Sequence, residues 1–237
     1  MSVFNPGQVS GITNEYLAQF RTIRRGQGGA VVLAQGRVIA GSVSRDPTNT
    51  AYVDTLQPGL VMGIVTATGK YAPSILGLTT VAYADNDLTL TVAPATAVEI
   101  ARRIGATSGT VNIVGAPTVG GTVVSVAVNY TGINTTTGVL TVPDLNAAFV
   151  VGSFIVPNDG SQTPLAFIDD GSGIKVTDFL GNNLDVEQPA MLVGGQIDTS
   201  QIINLPPSAN TTQLAWLKGQ LNSVNGSGFY FDDTYGA

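Results

Sequence analysis

Histidine and cysteine are both missing from this 237-residue chain. Their absence removes imidazole general bases, zinc sites built from His or Cys, thiolate nucleophiles, haem and Fe–S ligation, and disulfides. Charge is scarce as well: Asp, Glu, Lys and Arg make up 11% of the residues against 43% hydrophobic. That balance supports a sizeable core and excludes disorder throughout. Sparse charge also suggests a surface partly covered by partners. Long apolar runs are lacking; none exceeds five residues, as in Ala30–Ala34, far short of the roughly 20 that span a bilayer. No secretory leader and no membrane partner are expected, and synthesis is expected in the cytoplasm. With most catalytic and metal-binding groups gone, the composition points to a structural component rather than an enzyme, without cofactor or metal.

The net charge of −6 hides a split. Residues 1–45 carry Arg21, Arg24, Arg25, Arg37 and Arg45 against Glu15 alone, and the remainder carries five basic and fifteen acidic side chains. Such a division suggests an amino-terminal arm that docks on something acidic, a neighbouring copy included. Nucleic acid is not the expected partner, because the acidic remainder repels phosphate. An ordinary solvated basic surface is the plainer alternative.

What the chain does have is Gly, Thr and Val in patterns that read as short strands and turns. Near the start, Ile12, Tyr16, Leu17, Phe20 and Ile23 recur at helical spacing, and Arg21, Arg24, Arg25 and Gly26 follow as a stop, predicting a helix over 13–25 or else an extended arm. Strands are predicted at Ala30–Leu33 and Val38–Val43. Leu56-Gln57-Pro58-Gly59 is a turn signal, because Pro presets φ and Gly supplies φ > 0. Leu60–Thr66 follows as a strand, and Thr68-Gly69-Lys70-Tyr71 as a second turn. Residues 85–158 read as a β-rich module. Its predicted strands are Leu88–Val92, Gly109–Val114, Thr122–Tyr130, Gly138–Val142 and Ser153–Val156. One helix interrupts it, with Thr96-Ala97-Val98-Glu99 at capping-box spacing and Arg102, Arg103 and Gly105 as the stop. Short strands resume at Leu165–Ile168, Ile174–Val176 and Met191–Ile197. Leu214, Leu217 and Leu221 then predict an amphipathic helix over 211–222. The aromatic, acidic tail from Gly228 to Tyr235 could add a strand, reach another subunit or pack on its own core.

Candidate chemistry is thin. Ser172-Gly173-Ile174-Lys175 has the Ser-x-x-Lys spacing of some acylating enzymes, but that arrangement needs a helical turn and here enters a strand. Asp159, Asp169, Asp170 and Asp178 offer oxygen ligands without the alternate spacing of a calcium loop. Gly115–Gly121 is glycine-rich, yet no Lys follows and no helix opens, so it reads as a turn rather than a phosphate loop. Asn129, Asn134, Asn210 and Asn225 begin Asn-x-Ser/Thr triplets that a Thr-rich chain produces by chance.

Leu56-Gln57-Pro58-Gly59-Leu60-Val61-Met62-Gly63, then Thr66-Ala67-Thr68-Gly69-Lys70-Tyr71-Ala72-Pro73, resembles the head-decoration (cement) proteins of tailed bacteriophages. Gly36–Gly41, Ser44-Arg45-Asp46-Pro47 and Pro189–Gly195 fit the same picture, so the resemblance covers roughly residues 30–80 and 160–205. It implies a non-enzymatic virion protein that binds the outside of an expanded capsid, commonly as homotrimers, and bridges neighbouring copies of the major capsid protein. The expected fold is mainly β: a small barrel-like or sandwich core with an inserted β-rich module and short helices near both ends. The expected organisation is an arm with first strands (1–50), a discontinuous core (51–84 with 159–205), the module (85–158) and a carboxy-terminal helix and tail (206–237). Smaller members lack so large an insertion, which is expected to project outward and to be free for a neighbouring copy or a host surface. Arg21, Arg24, Arg25, Tyr52, Lys70 and Tyr71 are the expected contacts with the shell. Two rival readings are a fibre, tail or adhesin-like module binding carbohydrate, and an enzyme acting through carboxylates or Ser172 and Lys175. The former has a weak aromatic platform, since the one Trp falls in a predicted helix.

Overall fold

The computed structural model describes residues 23, 31–32, 37–225 and 228–233. Apart from Ile23, the helix expected over 13–25 lies outside the described residues, as do the arginines Arg21, Arg24 and Arg25. The fold is mainly β, with seventeen short strands and two α-helices among those residues. Strands β1 (Val31–Val32), β2 (Val38–Ile39), β3 (Thr55–Leu56), β4 (Val61–Ile64), β5 (Tyr71–Pro73), β6 (Gly77–Leu78) and β7 (Thr89–Thr91) precede helix α1 (Pro94–Arg103). After it come β8 (Gly109–Gly115), β9 (Val124–Tyr130), β10 (Gly132–Asn134), β11 (Val139–Thr141), β12 (Phe154–Pro157), β13 (Ala166–Ile168), β14 (Ile174–Lys175), β15 (Val186–Glu187) and β16 (Met191–Asp198). Helix α2 (Thr211–Asn225) and β17 (Phe229–Asp232) close the described chain.

Eight strands form one sheet in the order β1-β16-β13-β4-β5-β2-β15, with β17 also on β16. At the centre of this sheet both faces are buried, and the period of two assigns alternate residues to different cores. Val61, Phe167 and Leu192 enter a cluster with Phe154, Ile197, Leu217, Leu221 and Phe229 beneath α2. Their neighbours Leu60, Met62, Ala166, Ile168 and Met191 enter another, with Ile39, Leu56, Tyr71, Ile174 and Val176. The remaining core belongs to α1 and two smaller sheets, β6-β12-β8-β9 and β10-β11-β7. There Ala97 and Ile100 of the helix meet Leu90, Val111, Ile113, Val128, Tyr130, Leu140 and Ile155.

Local chemistry explains several departures from expectation. The turn at Gln57-Pro58-Gly59 forms as predicted, with Gly59 at φ +90. A Cβ at Gly59 would lie 2.1 Å from the Gln201 carbonyl oxygen, so only glycine fits. Helix α1 starts two residues before the predicted cap: Pro94 opens it after Ala93, with no side-chain cap. Thr96 is instead buried against Gly77, and Glu99 pairs with Arg102 at 2.6 Å rather than reaching back. The predicted stop stands, since Arg102 and Arg103 fill the last turn. The strand expected over Val38–Val43 ends at Ile39 and gives way to a 3-10 turn at Gly41–Val43. Helix α2 buries Leu217 and Leu221 as its spacing predicted. The tail adds a strand, β17, parallel to the second half of β16.

Candidate interaction surface

Two loops and a ring of basic side chains meet beside the small sheet β3-β14. The first loop is built on Asp46, a fully buried carboxylate. It accepts the Thr48 amide at 3.0 Å, the Thr48 hydroxyl at 2.5 Å, and the backbone and side-chain nitrogens of Gln57, both at 3.2 Å. Four donors on one carboxylate fix the loop closed, and its outer edge carries Tyr52 and Val53, both exposed. Asp54, next in sequence, accepts from the Thr177 hydroxyl, and its carbonyl takes the Val176 amide at 2.9 Å. Those bonds hold the first loop against the second.

The second loop is the hairpin of residues 176–184, closed by the Thr177–Asn183 bridge. Asp178 organises its tip. One carboxylate oxygen accepts the amides of Leu180 and Asn182, each at 2.8 Å, and the other accepts the Asn182 side chain at 2.8 Å. The Asn182 side chain, its amide and the neighbouring amides hold the Asp178 carboxyl below its ordinary value. This rigid tip carries Phe179 at 91% exposure and Leu180 at 71%. Leu184 on the same hairpin is exposed too.

Behind the hairpin, cations tie the segments together. Arg45 donates to the Gly41 carbonyl at 2.8 Å, to the Ser44 carbonyl at 2.6 Å and to Asn183 at 2.6 Å. Lys70 pairs with Asp185, which also accepts the Gly41 amide at 2.9 Å. The Lys70 ammonium, then the Gly41 amide, lower the Asp185 carboxyl. Arg102 reaches the Ser42 carbonyl at 2.6 Å. Gly41 is required at the centre: a Cβ there would stand 2.2 Å from the Leu184 carbonyl oxygen.

Of the predicted contact residues, Tyr52 and Lys70 reach this surface. Lys70 is already engaged with Asp185. Tyr71 is not presented by the turn. It lies in β5, 3% exposed, with Arg37 over its ring at 5.8 Å, because β5 runs between β4 and β2 and every residue of it is buried. Its burial raises the phenol above its ordinary value. Phe179 and Leu180 were not singled out, since two adjacent large apolar residues carry no surface signal of their own. The signal that finds them is Asp178-x-x-Gly181-Asn182, the composition of a tight loop tip.

The other candidates take up structural roles. The Ser172 hydroxyl donates to Asp170 at 2.6 Å inside a turn, while the Lys175 ammonium lies 3.8 Å from Asp54. Asp159 binds Arg103 at 2.8 Å and Ser161 at 2.7 Å. No group of three or more acidic side chains is placed to share an ion among the described residues. Gly115–Gly121 forms the connection between β8 and β9. A cavity of about 380 Å³ beside α2 is lined by Leu205, Pro206, Pro207 and Leu214 together with Asp232 and Asp233. No helix among the described residues is long and apolar enough to cross a membrane.

Comparison with protein families, with curated proteins and with solved structures finds no match to this chain.

Proposed function

We propose that this chain is a structural virion protein that binds the outer surface of an expanded phage capsid, through contacts with the major capsid protein, and stabilises it. The observation that carries this reading is the hairpin at 176–184: a tip locked by Asp178 that holds Phe179 and Leu180 in water beside exposed Tyr52 and Val53. Large apolar side chains on a pre-ordered loop lose little entropy on docking and serve well as anchors in a partner's pocket. The resemblance of residues 30–80 and 160–205 to cement proteins supplies the kind of partner. Each copy would bridge adjacent shell subunits, and because it binds the assembled lattice, mass action raises the cost of separating them. Many weak contacts repeated over the shell add by multivalency. Homotrimers are the assembly this reading favours, with residues 85–158 directed away from the shell.

The test is co-sedimentation with expanded and unexpanded heads of the encoding virus, stripped of this protein, followed by copy counting. Saturable binding to expanded heads at a fixed ratio to the shell subunit is expected, lost in Phe179→Asp/Leu180→Asp. Absence of wild-type binding to both kinds of head would overturn the reading. Binding that survives the double substitution would remove the hairpin from the interface.

A further inference from the structure

Forty consecutive residues, Ile104 to Pro143, contain no Asp, Glu, Lys or Arg, and β8, β9, β10 and β11 all lie within them. Within this stretch β9 is the last strand of its sheet. Its seven residues, Val124–Tyr130, form the longest strand after β16, level with β8.

The hydrogen-bond parity of the sheet shows which groups of β9 lack a partner among the described residues. The Thr79 amide donates to the Ser153 carbonyl at 2.9 Å and the Leu76 amide to the Ile155 carbonyl at 2.8 Å. Odd-numbered residues around β12 therefore direct their peptide groups toward β6, and Phe154 and Val156 direct theirs toward β8. Phe154 stands opposite Val114 and Val156 opposite Asn112. Val111 and Ile113 are thus turned toward β9, where they meet Val128 and Val126. Even-numbered residues of β9 bond to β8, and the peptide groups of Ser125, Ala127 and Asn129 point outward along an edge that no described strand covers. Pro157 agrees with this parity, since a residue without an N–H fits where none is needed by β8.

Side chains follow the same alternation. Val128 and Tyr130 are buried and Val126 half-buried, all against the α1 core, while Ser125, Ala127 and Asn129 are exposed. Asn129 is drawn back along the sheet by the Thr110 hydroxyl, which donates to its side-chain oxygen at 2.7 Å. None of the three shields the edge. The devices that protect edge strands, a Lys, a Pro or a bulge, are absent from β9, whose ladder with β8 runs in unbroken register.

We propose that β9 is an association edge for a second copy of this chain, the two strands pairing antiparallel about Ala127. In that register Ser125 of one copy faces Asn129 of the other and Ala127 faces Ala127, so each outward N–H and C=O finds its counterpart. The two four-stranded sheets then become one continuous sheet across a twofold axis. Charge selects the occupant. Only Glu15 and Arg21, Arg24 and Arg25 of the sixteen acidic and ten basic side chains lie outside the described residues, so the described surface is strongly acidic. Two copies repel one another across most of that surface and meet without repulsion at the charge-free stretch. Small side chains at 125, 127 and 129 leave room for the approach. The inference rests on β9 alone and stands independently of capsid binding.

Amide exchange of the free full-length chain tests it, run at low and high protein concentration beside sedimentation velocity. The amides of Ser125, Ala127 and Asn129 are expected to exchange quickly in the monomer and to slow by about tenfold or more as dimer forms. Those of Val126 and Val128 stay protected throughout. Ala127→Lys places like charges directly opposite and is expected to abolish the twofold pairing and leave those amides fast at every concentration, whereas Ala127→Ser keeps it. The inference is overturned by a chain that stays monomeric with three fast amides, by an oligomer in which they remain fast, or by a folded Ala127→Lys variant that associates as wild type does. Should that variant not fold, the wild-type exchange pattern alone decides.

Discussion

In the eight-stranded sheet, neighbouring residues of one strand enter different cores, Val61 one and Met62 another. In β9 the alternation runs between a core and water, with Val128 and Tyr130 buried and Ser125, Ala127 and Asn129 exposed. The first arrangement draws its strands from distant parts of the chain and is tied by polar clamps at several junctions, among them Arg45, Lys70, Arg102 and Arg103. The second is a local hairpin without a charge. The difference teaches that one chain can divide its work: clamps hold the sheet region into one shape, and the charge-free region is left with a surface able to meet its own kind.

The largest test of that division is whether the two regions unfold together. Phe154 packs on Trp216 at 5.9 Å under α2, and its neighbour Ile155 belongs to the α1 core, so β12 is shared. Phe154→Ala is expected to cost about 3–5 kcal/mol. Trp216 fluorescence and far-UV circular dichroism should shift together in denaturant. Separate transitions would show two independent units. Next comes Arg103, whose side chain is 1% exposed and donates to Asp159 at 2.8 Å and to the Pro73 carbonyl at 2.8 Å. Arg103→Met should cost about 3 kcal/mol, the low end for a broken buried pair because Asp159 keeps some water, and chemical denaturation measures it.

Acid sharpens the contrast further. Burial raises Asp159, but the charge of Arg103 and the bonds from Ser161 and Arg103 outweigh it and leave the carboxyl lowered. Lys70 lowers Asp185, and Lys218 with Thr199 lowers Asp233. A lowered carboxyl stabilises the fold in full above its ordinary value of 3.8 and is lost as pH falls through the folded-state value. Stability should therefore fall below pH 3.8, with the clamped junctions opening before β8 and β9, as amide exchange across an acid series would record. The smallest effect is expected at the hairpin tip: Phe179→Ala should change stability by no more than about 0.5 kcal/mol, even though the residue is large and apolar. A larger loss in thermal unfolding would mean that Phe179 packs within its own chain.

How much of this was legible depended on whether the deciding force is local. Most strands from Gly109 onward and helix α2 follow from alternation and helical spacing, and the Pro58-Gly59 turn from backbone preference, whereas the short strands β10 and β15 were not predicted. The start of α1 was misplaced because Thr96 and Glu99 satisfy a capping pattern by spacing, while Pro94 and burial against Gly77 decide the outcome. Strand β5 was missed because Tyr71-Ala72-Pro73 is short and ends in proline, and its pairing with β2 and β4 comes from distant residues. The contact surface was half legible. Lys70 signals a surface by its charge, but its partner Asp185 is 115 positions away. Phe179 and Leu180 are exposed only because Asp178 locks a tip that no apolar pattern announces.

Strand β16 holds β1 on Gly194 and begins its pairing with β17 one residue later, at Gly195. The first and last described strands thus begin beside adjacent residues of one template. Opening β16 near Gly194 would therefore loosen both ends of the described chain at once, so the two would fray together rather than one after the other.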